Sequence, residues 1–160
     1  GLGNACAVMV GNRIGAGKRE EAYQTLWRVV TLAVIAAWVV GLTVFLLRDA
    51  VVSLYNLSPS GVDNVRVLML VMACTIWIRM LNFTTFIGGL RAGGDTRFAM
   101  FMELFSIWGV GVPSAYIGAF VLGLPVYYVY LMVALEELVK AFISIWRIRS
   151  RKWMHDLVNV

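Results

Sequence analysis

Histidine and cysteine are almost missing from this sequence, which holds one histidine, His155, and two cysteines, Cys6 and Cys74. Both cysteines stand in apolar runs with no CxxC or Cys/His spacing, so a zinc site and a disulfide framework are excluded and each thiol reads as a small apolar filler. Charge is scarce as well: 14% of the residues are charged against 61% hydrophobic, and the mean hydropathy is +0.80. A chain so poor in polar side chains cannot coat a soluble globule. No nucleophile and base stand at matched depth along it, and the single histidine falls in the C-terminal tail, so an intramembrane enzyme is not expected. The sequence offers no cofactor motif and no metal motif.

What it has instead is long apolar runs, and the chain reads as an integral membrane protein whose first partner is the lipid bilayer. The net charge of +5 does not point to nucleic acid, because the basic residues cluster between the apolar runs, where the positive-inside bias accounts for them. The run from Val67 to Leu90 holds one charge, Arg79. As a helix it spans about 36 Å, against a hydrocarbon core of about 30 Å. Arg79 then lies near the bilayer centre, where an ionised side chain faces a bundle interior or an aqueous cavity and needs a partner.

The expected fold class is all-α: a polytopic membrane helical bundle with four complete transmembrane helices and the end of a preceding one. The spans are placed at about residues 1–11, 26–47, 67–90, 98–120 and 126–146, with residues 147–160 as a basic cytoplasmic tail. The opening GLGNACAVMVGN has neither an initiator Met nor a basic leader, and Gly1 to Gly11 make only about 16 Å of helix, roughly half a crossing. The expectation is a piece that begins inside a transmembrane helix. Gly3, Ala7, Gly11 and Gly15 recur every four residues, a small-residue stripe read as a packing face. GNRIGAGKREEA marks a tight loop leading into an amphipathic helix start. It is not a phosphate-binding loop, since Asn12 stands where that motif requires its first Gly and Arg19 where it requires Ser or Thr.

Trp27 stands near one end of the second span as an interface anchor. The connection RDAVVSLYNLSPSGVDNVR carries turn chemistry and a glycosylation sequon, Asn56-Leu57-Ser58. Phe98 to Leu135 is too long for one crossing, and FVLGLP is its natural hairpin. Pro113 is expected to kink the helix before that hairpin, since it removes a backbone donor. Ten Lys and Arg residues, from Arg13 to Lys152, gather at one end of these spans and only Arg48 and Arg66 at the other. The first end, with the GNRIGAGKREE loop, the GGLRAGGDTR turn and the C-terminus, is therefore expected in the cytoplasm.

Five charges remain inside the spans: Arg79, Glu103, Glu136, Glu137 and Lys140. Matching depth predicts that Arg79 pairs with Glu136 or Glu137 and that Glu103 approaches Lys140, each of the latter about 9 Å from the cytoplasmic end. Lys140 also follows the two glutamates by four and three residues and can share one of them within its helix. Two bases against three acids leave one carboxylate in excess. Low dielectric disfavours the charged form of an acid without a dedicated base, which is the property that proton exchange requires. On this reading one of Glu136 and Glu137 is the ion-coupling candidate, and Glu103, nearer the interface, is structural. The same five charges read equally as a network holding three helices in register, with no proton turnover. Asn82 and Thr75 extend the polar stripe of Arg79, either lining a cavity or bonding between helices. Aromatic residues such as Trp77, Phe83, Phe86 and Tyr130 suit lipid contact or a cavity wall, whereas Tyr127 and Tyr128 fit an interface belt.

Two motifs, GNACAVMVGNRIGAGKREEA and GGLRAGGDTR, with the terminal RIRSRKW, resemble the multidrug and toxic compound extrusion (MATE) family of transporters over essentially the whole chain. The resemblance implies twelve helices in two six-helix lobes that expel amphiphilic, often cationic small molecules in exchange for protons or sodium. It makes this chain the end of helix eight and helices nine to twelve, lacking the N-terminal lobe, in the plasma membrane. Some members carry a cation-binding acid eleven residues before the arginine that matches Arg91, and here that position is Met80. Coupling then falls to Arg79, Asn82, Glu136, Glu137 and Lys140 or to an acid of the other lobe. Two alternatives stay open: a lipid-linked oligosaccharide or polysaccharide flippase of the same superfamily, and a membrane scaffold subunit that transports nothing.

Overall fold

A computed structural model describes residues 1–55 and 58–155. Five helices follow one another, and among the described residues no named strand occurs. Helix α1 is Leu2–Gly15 and α2 is Arg19–Ser53. Helix α3 starts at Pro59, behind the Ser58 side chain that accepts from the Gly61 N–H, and runs as α-helix to Phe83. It continues without a break into a wider π-helical segment, Thr84–Arg91. Helix α4 is Thr96–Val121 and α5 is Val126–Arg149. Glycines with positive φ make two of the turns, Gly17 between α1 and α2 and Gly123 in the α4–α5 hairpin, a backbone region that only glycine enters without penalty. The sequon Asn56-Leu57-Ser58 and the last five residues of the tail, 156–160, lie at or outside the edges of the described residues.

Helices α2, α3 and α4 are long and apolar enough to cross a membrane. Helix α5 has 24 residues, about 36 Å of helix, but it carries Glu136, Glu137 and Lys140 in its middle. The apolar side chains that α2 and α4 turn outwards, among them Leu32, Ile35, Leu46, Phe101, Phe105 and Phe120, are exposed. A soluble protein would bury such a surface, whereas a bilayer solvates it.

The π-helical widening of α3 packs closely against α1. Helix α1 buries Gly3, Cys6, Val10 and Ile14, so its contact face is rotated from the expected Gly3/Ala7/Gly11/Gly15 stripe, whose last member is exposed. Small residues on both helices permit the approach: a Cβ on Gly3 would stand 2.7 Å from the Phe83 ring and one on Gly88 2.6 Å from the Cys6 Sγ. Gly41 of α2 does the same against α3, where a Cβ would stand 2.7 Å from the Ala73 carbonyl oxygen. Beside it Trp38 and Trp77 stack with ring centroids 6.2 Å apart.

Pro113 falls just after a π-helical stretch, Ile107–Gly111. Proline has no N–H to donate back along the helix, and the wider turn before it absorbs the missing bond. A second such stretch, Ile117–Val121, precedes the hairpin.

The chain end is folded rather than trailing. Helix α5 runs to Arg149, and the segment after it returns over the α3–α4 turn, with Trp153 fully buried. Main-chain pairing joins Gly94 to Met154, and the His155 N–H donates to the Gly93 carbonyl at 2.8 Å. Arg147 Nε meets buried Asp95 Oδ2 at 2.7 Å, and Arg151 reaches Glu20 of α2 at 2.7 Å. Loop, turn and tail are thereby tied into one cap at the basic end of the bundle.

Candidate functional site

Asn82 and Arg79 stand three residues apart, so they share a face of α3, and that face meets the charged middle of α5. The Asn82 Nδ2 group donates to the Glu137 carboxylate Oε2 at 2.7 Å and to the Glu137 main-chain carbonyl at 2.8 Å. Arg79 Nε lies 3.8 Å from Glu137 Oε1, and its guanidinium sits 5.3 Å from the centre of the Tyr130 ring. One glutamate therefore receives the arginine and the amide together. Asn82 is 7% exposed, and its Oδ1 has no hydrogen-bond partner among the described residues. The orientation of the amide is imposed by Glu137, because reversing it would put two oxygens against one another.

Glu136 is held differently. Lys140, one turn further along α5, forms an ion pair with it. Its carboxylate also lies against Gly111 in the π-helical stretch of α4, where any Cβ would fall inside it. The intrahelical pair takes the partner that depth had assigned to Glu103, since Lys140 reaches Glu136 without any helix having to move. Glu103 is half-buried and, among the described residues, makes neither an ion pair nor a side-chain hydrogen bond. The excess carboxylate is thus on α4. Thr75 turns away from all of this and donates to its own helix at the Val71 carbonyl, 2.9 Å.

These groups surround a cavity of about 640 Å³ between α2, α3, α4 and α5. Arg79, Asn82, Glu137, Lys140 and Glu103 line it with Met80, Phe83, Phe86 and Ile87 of α3 and Ala36, Ala37 and Val40 of α2. Glu136, tucked against α4, is not part of the lining. A smaller cavity of about 340 Å³ opens at the basic end, among Arg91, Thr96, Arg97 and Met100. Phe86, Arg91 and Glu103 belong to the walls of both. Among the described residues no three His, Cys, Asp or Glu side chains gather as a metal site. At the α3–α5 contact the paired Glu137 carboxylate and the unpartnered Asn82 Oδ1 acceptor offer oxygens to a cationic group inside greasy walls.

Two participants escaped sequence reasoning. Gly111 carried no signal in the sequence, and only the π-helical geometry around Pro113 makes it the floor under Glu136. Ser144, buried on α5, has its hydroxyl 3.5 Å from that of buried Thr85, a polar contact whose sole signal in the sequence was its position one turn past Lys140.

A cavity with ionised walls inside helices that suit a bilayer limits the class, and comparison with known proteins decides the family. The MatE family model matches residues 1–117. The chain belongs to the MatE family. It is 30% identical over 152 residues to an uncharacterized transporter, YisQ, of Bacillus subtilis, a match covering 92% of this chain and 32% of that protein. With the multidrug resistance protein PmpM of Pseudomonas aeruginosa it shares 32% over 115 residues, 72% of this chain and 24% of that one. The probable multidrug resistance protein NorM of Xanthomonas axonopodis is 29% identical over 118 residues, 71% of this chain and 24% of that one. No solved structure matches the chain at a significant level. This MatE chain spans about a quarter to a third of the length of the relatives it matches. It is a membrane protein of a transporter family, and the α2, α3 and α4 walls of its cavity fall within the residues that the family model matches.

Proposed function

We propose that the chain is the last part of a cation-coupled antiporter that exports amphiphilic or cationic organic compounds across the plasma membrane by alternating access, the rest of the transporter supplying the N-terminal lobe. The basic end is its cytoplasmic side, by the positive-inside rule. The observation that carries this reading is the cavity: apolar and aromatic walls around Asn82, Glu137, Arg79 and Lys140, with the Asn82 Oδ1 acceptor unused. A cationic amphiphile would place its charge against Glu137 and Asn82 and its apolar body along Phe83 and Phe86. The similarity to PmpM and NorM, both described as multidrug resistance proteins, supports the choice of drug-like substrates over lipid-linked sugars.

The test is efflux from vesicles holding the purified full-length protein, with ethidium as probe and either a proton or a sodium gradient as the drive. Accumulation against its gradient under one of the two supports the reading. Efflux driven by neither overturns it.

A further inference from the structure

Glu103 is, among the described residues, the one acid in a position that it shares with a single other charge, Arg91. It stands in the wall common to the central cavity and to the smaller one at the basic end. Thr96, Met100 and Glu103 line one face of α4 at helical spacing, so the smaller cavity follows the first two turns of that helix and reaches Glu103 about 10 Å from its start. The other two carboxylates in the middle of the bundle are each neutralised, Glu137 by Arg79 and Glu136 by Lys140.

The charged groups that line the two cavities with Glu103, and so face it across them, are Arg79 and Arg91 of α3 and Glu137 and Lys140 of α5, with Arg97 on its own helix. Helix α2 contributes only apolar side chains to this wall. None of the facing bases lies within ion-pair distance of it among the described residues; Arg91 is instead placed over the Phe86 ring at 5.8 Å.

We propose that Glu103 carries the exchangeable proton of the antiport cycle, passing it from the central cavity to the cytoplasmic one. The inference rests on the antiport reading above and names the residue and the ion. A hydronium ion in the central cavity breaks one O–H bond to give its proton to the Glu103 carboxylate, leaving water and a neutral carboxyl with a new O–H bond. When the basic end opens, that O–H bond breaks and the proton leaves to water in the smaller cavity, restoring the carboxylate. Nothing is oxidised or reduced, and the substrate's cationic group engages Glu137 and Asn82 rather than Glu103.

The experiment uses the full-length protein, as wild type, Glu103→Gln and Glu103→Asp. Proton release on adding ethidium is followed with a pH-sensitive dye in detergent, and efflux and ethidium-for-ethidium exchange are followed in vesicles. Glu103→Gln is expected to bind ethidium within about threefold of wild type and to keep exchange. It should lose ethidium-induced proton release and at least tenfold of its proton-driven efflux. Glu103→Asp, which keeps the carboxyl, should retain both with a displaced pH profile. Wild-type efflux and proton release in Glu103→Gln would overturn the inference and leave the antiport reading standing, as would efflux driven by sodium alone in the wild type. Loss of binding and exchange in both variants would also overturn it, because a purely structural role predicts that pattern. Efflux driven by neither gradient in the wild type is a different result and removes the antiport reading itself.

Discussion

Asn82 holds Glu137 at two points, the carboxylate at 2.7 Å and the main-chain carbonyl at 2.8 Å, through a single amide nitrogen. The second bond reaches the backbone of α5, so the amide fixes the level of α5 against α3 as well as the side chain it touches. Asn82→Leu removes both and is expected to destabilise the bundle by about 1–2 kcal/mol, the usual range for polar contacts between membrane helices. Asn82→Asp should be worse than Asn82→Leu, since it sets a second carboxylate against Glu137. Unfolding of the purified protein in mixed micelles measures both, and equal losses would contradict the proposed geometry.

The partner of Arg79 is now specified. Exchanging the charges of Arg79 and Glu137, as Arg79→Glu with Glu137→Arg, is expected to recover folded protein lost in either single variant. Arg79→Glu with Glu136→Arg is expected to recover none, because Glu136 is held by Lys140 and Gly111 on the far side of α5. Yields of monodisperse protein after detergent extraction compare the two pairs directly, and rescue by the second pair would show that Arg79 reaches the other glutamate.

Hydrophobic run length and charge depth made much of this architecture readable in advance. Helices α2, α3 and α4 are legible because a bilayer imposes a minimum length on any apolar helix, and Arg79, Glu136 and Glu137 announce themselves because a charge at that depth has to be satisfied. Which acid meets which base was not legible. Glu136 and Glu137 are adjacent, a helix turns about 100° between them, and the choice depends on a rotation of α5 that the sequence alone does not set. The folding of the tail was hidden for another reason: RIRSRKW reads as a basic stop, while the buried side of Trp153 is visible only once Gly93 is brought beneath it.

Gly111 lets the Glu136 carboxylate lie against α4, and even a methyl group there overlaps it. Gly111→Ala is therefore expected to destabilise the protein by about 1–3 kcal/mol, the range for overpacked interiors. Shortening the acid should relieve it, so Gly111→Ala with Glu136→Asp is expected to be more stable than the sum of the two single changes predicts. A double-mutant cycle on thermal unfolding reads this coupling, and strict additivity would mean that the two residues do not touch.

The cap at the basic end is the remaining feature that a substitution can probe. Trp153 is fully buried, donates from Nε1 to the Ile148 carbonyl at 3.1 Å, and lies over Gly93, where a Cβ would overlap its ring. Beneath it Asp95 is met by Arg147 at 2.7 Å and by His155 at 3.6 Å. Trp153→Ala empties a large site and is expected to lose about 3–5 kcal/mol. Gly93→Val should expel the same indole, so adding it to Trp153→Ala should bring little further loss. Limited proteolysis gives an independent readout. In both single variants the tail should be released and cut after Arg149 or Arg151 well before the loop between α1 and α2. If the tail instead stays protected in Trp153→Ala, the indole is not what holds it down, and the Asp95–Arg147 pair must hold the end of α5 to the turn unaided.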